Sequence, residues 1–325
     1  MIRAKCYSVA LSIWSATFLT WHSFSEAAYP ERAVRIIVAY GVGGGADLVA
    51  RVVGGKLSEK WGKPVVIENR TGANGTIGLA AVVGATPDGH TLALYTSTHP
   101  IAPYLYKLNY DPITGIKPVS LLAAQPDVFV VNTSLPVRSL QELISLARSK
   151  PGQLNYGSAG AAIPGALNIE LLKKKAGIDI VQIIYRDGTP VDALLRGDIQ
   201  MINTTMSILL PQVNAGKFRA LAVSGKQRVA ALPSVPTLAE ATGLEGFDFG
   251  GIWYGIAAPR ATSDGIVNKI HADLVAVTSL PDVQETLAKL GVQVIVNTPK
   301  EFDNLIKQES ANWGAVINSI GIRPQ

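Results

Sequence analysis

The sequence predicts an α/β fold in two domains. Three observations carry that expectation. Short apolar runs rich in β-branched residues alternate with amphipathic helical patterns, which implies parallel sheets covered by helices. The 325 residues, less an export segment, leave about 298, a length suited to two domains. Several apolar runs end in clusters of glycine and hydroxyl residues, where open α/β sheets bind ligands.

Met1 to Ala27 reads as a secretory signal, with Arg3 and Lys5 in front, an apolar stretch to Phe24, and Ser25-Glu26-Ala27 as a small-x-small cleavage site. A retained membrane helix is the alternative, but Ser, Thr and His dilute the apolar stretch. The single cysteine, Cys6, lies in this segment, so the mature chain has no thiol for disulfides, redox chemistry or a Cys-based zinc site. Losing Arg3, Lys5 and Glu26 leaves 27 basic against 23 acidic residues, a charge of +4. The bases are dispersed, and the one run, Lys173 to Lys175, reads as a solvated helix face rather than a nucleic-acid patch.

The mature chain is organised around Val34 to Leu57, a strand, a Gly-rich loop and a helix. Gly41, Gly43, Gly44 and Gly45 let a bound group approach the backbone where orphan amides and the positive end of a helix dipole coincide, a seat for a carboxylate or phosphate. Two other readings stay open. Gly41 to Ala46 also satisfies G-x-G-x-x-A, with Glu68 closing the next apolar run as in a dinucleotide-binding unit. Alternatively the loop is an ordinary helix entry with Asp47 compensating the dipole. No Lys-Ser/Thr pair follows, which excludes a Walker loop.

Further strands are expected at Val65–Ile67, Thr91–Tyr95, Val128–Val131, Leu154–Gly157, Ile178–Tyr185, Ile199–Ile202, Ala220–Val223, Trp253–Ala257 and Val292–Val296. Ser139-Leu140-Gln141-Glu142 and Thr298-Pro299-Lys300-Glu301 fit the capping box, the second with Pro at the first helical position. From there Phe302, Leu305, Ile306, Trp313, Val316, Ile317 and Ile320 share one face, and Gly321 marks the stop.

Three later loops repeat the opening design: Thr96-Ser97-Thr98, Tyr156 to Ala162, and Tyr185-Arg186-Asp187-Gly188-Thr189-Pro190. Each alone is explained by turn chemistry, but together they favour a ligand cleft. His90, His99 and His271 are scattered without metal-ligand spacing, no G-x-S-x-G elbow occurs, and no cofactor is called for. Binding without chemistry is the simpler reading.

At this point the sequence resembles a family. Tyr29-Pro30, Tyr40 to Asp47 with Ala50-Arg51, Pro64 to Arg70 with Gly72 and Gly75, Pro87-Asp88-Gly89, Tyr110-Asp111-Pro112, Leu154 to Gly160, Leu232 to Thr237, and Trp313, Gly314 and Gly321 are similar to the Bug receptors. These are the extracytoplasmic solute-binding proteins of tripartite tricarboxylate transporters. The resemblance implies a two-domain periplasmic-binding-protein fold, type II-like, with a hinge and an interdomain cleft. Domain 1 would comprise residues 28–125 and 250–325, and domain 2 residues 126–249. It makes the dinucleotide match a coincidence. It also implies a periplasmic monomer that captures a small mono- or dicarboxylate, aromatic acid or amino acid and delivers it to membrane permease subunits.

Carried across residue by residue, the resemblance marks Tyr40, Val42, Gly43, Gly44 and Asp47 in the first loop, with Asp47 as a brace because a carboxylate repels an acidic ligand. It marks Thr96, Ser97 and Thr98 in the second, Ser158, Ala159, Gly160 and Ala162 in the third, then Tyr185 and Asp187, and Asn203 with Thr204. Departures shape specificity. Gly41 and Val42 replace paired prolines, Ala46 replaces a Thr, Ala161 to Gly165 make an apolar wall, and Asp187 either neutralises Arg186 or receives an amine. The solute expected is a monocarboxylate, an aromatic carboxylate or an amino acid rather than citrate. The rivals are an exported α/β enzyme using Asp187 as a base, and a sensor handing its closed form to a signalling partner.

Overall fold

The protein is described here from a computed structural model covering residues 29–160, 163–185, 190–244 and 251–322. The export segment, Ala162, and Arg186 to Thr189 lie outside the described residues. In chain order the elements are β1 (Val34–Val38), α1 (Gly45–Trp61), β2 (Val65–Asn69), α2 (Thr76–Val83), β3 (Thr91–Thr96), β4 (Ile116–Gln125), β5 (Asp127–Asn132), α3 (Leu140–Ser149), β6 (Asn155–Ser158), α4 (Pro164–Ala176) and β7 (Val181–Ile184). They continue as α5 (Pro190–Arg196), β8 (Met201–Thr205), α6 (Met206–Asn214), β9 (Phe218–Val223), α7 (Leu238–Thr242), β10 (Ile252–Pro259), α8 (Asp264–Thr278), α9 (Pro281–Lys289), β11 (Gln293–Val294) and α10 (Pro299–Ile320).

The strands form two sheets, ordered β11-β4-β10-β3-β1-β2 and β7-β6-β8-β5-β9. β1 is parallel to β2 and β3, and β6 is parallel to β7 and β8, as the alternating pattern requires. The parallel pairing expected from the alternation is joined by antiparallel pairs, so both sheets are mixed: β10 runs against β3 and β4, and β5 runs against β8 and β9. In each sheet this reversed strand is the one by which the chain arrives from the other sheet, without a helical crossover from a neighbour.

The central strands of both sheets are buried on two faces, which explains their near-continuous apolar runs. In β1 the side chains of Val34, Ile36 and Val38 meet Val49, Val53 and Leu57 of α1 and Ile270 and Leu274 of α8. Ile37 points the other way, into a cluster with Leu79, Tyr95, Trp253, Phe302 and Ile306. In β5, Phe129 and Val131 face α3 and α4, while Val128 and Val130 face Leu194, Leu209 and Phe218. This alternation is the period of two expected of a strand.

Helix α10 ties the two halves together. It starts in a complete capping box between Thr298 and Glu301, with Pro299 next, and ends at Gly321 in the left-handed region. Phe302 and Ile306 belong to the first sheet's core, whereas Trp313, Val316 and Ile317 belong to the second's. The Ser139 box is half-built: its hydroxyl accepts from Glu142 N–H at 3.1 Å, but Glu142 reaches back to Arg138 N–H instead.

Candidate functional site

A cleft of about 670 Å³ lies between the two sheets at the carboxyl ends of their parallel strands. From the first sheet's side it is lined by Tyr40, Gly41, Gly44 to Ala46, Thr71 to Gly75, Thr98 and Tyr254. From the second come Asp127, Ala159, Gly160, Ile163 to Gly165, Thr204 and Thr205. No Lys, Arg, His or Glu is among the described lining residues.

Two helix N-termini open onto this space. The N-cap of α1 is Gly44 and that of α4 is Ile163, and neither offers a side-chain oxygen to its first turn. Gly45 and Ala46 therefore present uncapped first-turn amides to the cleft, with the α1 dipole behind them. α4 begins with Pro164 at a position that has no use for an N–H. Gly165 follows because a Cβ there would stand 2.0 Å from the carbonyl oxygen of Asn203.

Hydroxyls extend the α1 seat. Tyr40 Oη, Thr96 Oγ1 and Thr98 Oγ1 form a triangle, with Tyr40 to Thr96 at 3.0 Å and Thr96 to Thr98 at 2.8 Å, closed by a short Tyr40–Thr98 contact. Burial raises the Tyr40 phenol above its ordinary pKa, so it stays a neutral donor. His99 supports the triangle from below: its Nδ1 accepts from Thr96 N–H at 2.9 Å, and burial lowers its pKa to about 4, so the ring is neutral at neutral pH.

The expected site residues separate into three groups. Tyr40, Gly44, Thr98, Ala159, Gly160 and Thr204 reach the cleft. Asp47, Thr96, Ser158 and Asn203 lie one layer behind as braces. Asp47 accepts from Gly43 N–H, Arg51 Nε and Asn69 Nδ2, each at 2.9 Å. Burial alone would raise its carboxyl, but these bonds prevail and hold it below the usual carboxylate range. Gly43 thus gives its amide to Asp47, so the expectation that it donates to a ligand does not match the geometry. Ser158 Oγ donates to Gly160 O at 2.9 Å and accepts from Gln182 at 2.9 Å, fixing the third loop. Asn203 Nδ2 donates to Gly165 O at 3.2 Å, fixing the start of α4.

The remaining residues are not in the described lining. Val42 is 75% exposed. Ser97 is buried, and Tyr185 packs beside the core formed by Val128, Val130 and Leu194. Ala162 and Asp187 lie outside the described residues.

Sequence reasoning missed Asp127, Thr205 and Tyr254. The signal for Asp127 was present: an acid directly after Pro126 at the head of an apolar run has no local role in a buried strand. Asp127 is 2% exposed, and burial pushes its carboxyl up to about 7.

A family model described as the tripartite tricarboxylate transporter family receptor matches residues 49–322. The chain belongs to that receptor family. The periplasmic binding protein BugD is similar at 30% identity and a TM-score of 0.82, over 91% of this chain and 100% of that one. The R. palustris protein Rpa4515 with adipate is 31% identical with a TM-score of 0.85, over 91% and 100%. MatC of Rhodopseudomonas palustris with bound malate is 31% identical with a TM-score of 0.81, over 89% and 100%. The two-lobed fold with a cleft, expected from the Bug resemblance, is the fold this receptor shares with those proteins.

Proposed function

We propose that this receptor captures a small carboxylate-bearing solute in the cleft and delivers it to the permease subunits of its transporter. The observation that carries the reading is the uncapped start of α1, opening with Tyr40 and Thr98 onto a cleft whose described walls hold no cation. The carboxylate is held there by the amides of Gly45 and Ala46 and by the hydroxyls of Tyr40 and Thr98. Ala159, Gly160 and Thr204 meet the solute from the other lobe. Hydrogen bonds to a charged group contribute roughly 1.5–3 kcal/mol each, so four of them support micromolar binding, for which about 8 kcal/mol suffices. The adipate and malate in the related proteins are of the same chemical class.

The lobes are residues 28–125 with 250–325, and 126–249, after removal of the export segment near Ala27 in the periplasm. The hinge is where the chain passes between sheets. Pro126 separates β4 from β5, and Gly251 lies against it, where a Cβ would stand 2.2 Å from Gln125 O and 2.5 Å from Asp127 N. The second half of α10 packs on the far lobe, so closure bends about this crossing while α10 anchors both cores. The protein works as a monomer, and its closed form is what the permease reads.

Mass spectrometry of the acid released from the purified mature protein, followed by calorimetry with that acid, tests the proposal. One-to-one saturable binding and recovery of the acid unaltered are expected. A chemically converted acid, or uptake that persists after deletion of the permease genes, would refute it.

A further inference from the structure

We infer that Asp127 receives a protonated amine, so that the solute is an ammonium-bearing carboxylate rather than a simple acid or a dicarboxylate. This rests on the receptor reading above and names the substrate class of the same cleft.

Asp127 is fixed before any ligand arrives. Its own N–H donates to Ser224 Oγ at 2.8 Å, and it is paired across the β5–β8 ladder with Thr205. The side chain is 2% exposed and lines the cleft, with Oδ2 beside the first turn of α4, 3.5 Å from where a Cβ of Gly165 would stand. Among the described residues no cation pairs with the carboxylate and no donor bonds it. A buried, unpaired carboxylate is among the costliest groups a fold can keep, and it is relieved by taking up a proton or by a partner that comes from outside.

Unspent polar groups surround it. The Thr205 hydroxyl oxygen opposite it and the amide oxygen of Gln125, two residues earlier, are both buried without a hydrogen-bond partner. Asp127 also spends the positive end of α4, so a second ligand carboxylate would meet like charge there. The cleft therefore sets neutral amide and hydroxyl donors at the α1 end against an anionic group at the Asp127 end, where the Gln125 amide oxygen is a further unspent acceptor. A molecule carrying a carboxylate and an ammonium group satisfies both ends, whereas a monocarboxylate leaves Asp127 unpaired.

The same geometry sets the response to pH. Around Asp127 stand Gln125 of β4, Gly165 of α4, Thr205 of β8, Ser224 after β9 and Tyr254 of β10. Tyr254 is the ionisable member, and burial raises its phenol, so it stays neutral. Tyr40 behaves likewise, and His99 titrates near 4, below the relevant range. The amine then binds the ionised form of Asp127, and its affinity falls by up to tenfold per pH unit below about 7.

The test is calorimetry of the mature protein stripped of ligand, with each common amino acid against its deaminated acid, and γ-aminobutyrate against butyrate and succinate. Expected is at least one pair in which the amine form binds ten times tighter or more at pH 8. That advantage shrinks about tenfold by pH 6, and Asp127→Asn removes it. Acids that bind with no amine advantage, an advantage that survives in Asp127→Asn, or a dicarboxylate that tightens on acidification would overturn the inference while the receptor reading stands. No heat with any acid, amine-bearing or not, would sink both. The pH series on the unsubstituted protein decides the matter even if the variant fails to fold.

Discussion

Asp47 and Asp127 are both buried acids within the site region, yet their surroundings give them opposite roles. Asp47 is saturated by three donors, and removing it strands Gly43 N–H and takes one bond each from Asn69 Nδ2, which also donates to Tyr40 O, and from Arg51, which also donates to Asn69 Oδ1. Asp47→Ala is expected to cost about 2–4 kcal/mol in urea denaturation and to weaken solute binding by loosening the first loop. Because its folded pKa is depressed, Asp47 stabilises the protein above its unfolded pKa, and that contribution is lost as pH falls through the folded value. Asp127 has the reverse sign. Between its unfolded pKa near 4 and about 7 the folded state holds a proton the unfolded state has released, so stability declines as pH rises. Ligand-free Asp127→Asn should therefore be more stable than the unsubstituted protein at pH 8, by on the order of a few kcal/mol, and show no such gain at pH 4. A gain that is the same at both pH values would contradict this. Asp47 as a brace was legible in the sequence, because an acid beside an anion seat can only be spent internally. Asp127 was legible only as an acid with no local role, since nothing in an isolated strand reveals that its first residue faces a cleft built by a different part of the chain.

At the scale of elements, local signals were legible and sheet positions were not. Thr298, Pro299 and Gly321 set the ends of α10 through contacts within a few residues, so the sequence suffices to place them. Strand β4 escaped notice because Pro118 interrupts it, and proline ordinarily argues against a central strand. It is tolerated because the pairing with β10 slips between Ile256 and Ala257, and Ala257 is the partner of Pro118. Conversely Ile178 to Tyr185, the most apolar run, yields only the edge strand β7, with Val181, Ile183 and Ile184 each more than a third exposed. Apolarity reports burial somewhere, and here Ile178 and Ile180 take it beneath α4 before the strand begins. The start of α4 is the element most sensitive to a single atom. Gly165→Ala must displace α4 from β8, at a cost of about 2–3 kcal/mol by denaturation, and should lower solute affinity along with stability. An unchanged melting temperature would show that the backbone there is loose.

For the whole molecule, the cleft depends on two sheets joined at Pro126 and Gly251 and spanned by α10. Solute that touches both walls stabilises the closed arrangement by the difference in its affinity for the two states. Small-angle scattering should accordingly show a smaller radius of gyration when the solute is added, and no change with a compound that fills only the α1 end. That two lobes exist could be read from length and alternation, whereas the walls that face each other arise from strand order, which no local pattern encodes. The account stands on neutral amides and hydroxyls at the α1 end holding a negative charge. Calorimetry of the co-purifying acid against its methyl ester tests this most directly. A loss of at least a hundredfold in affinity on esterification is the predicted result, and an ester that binds as tightly as the free acid would contradict it.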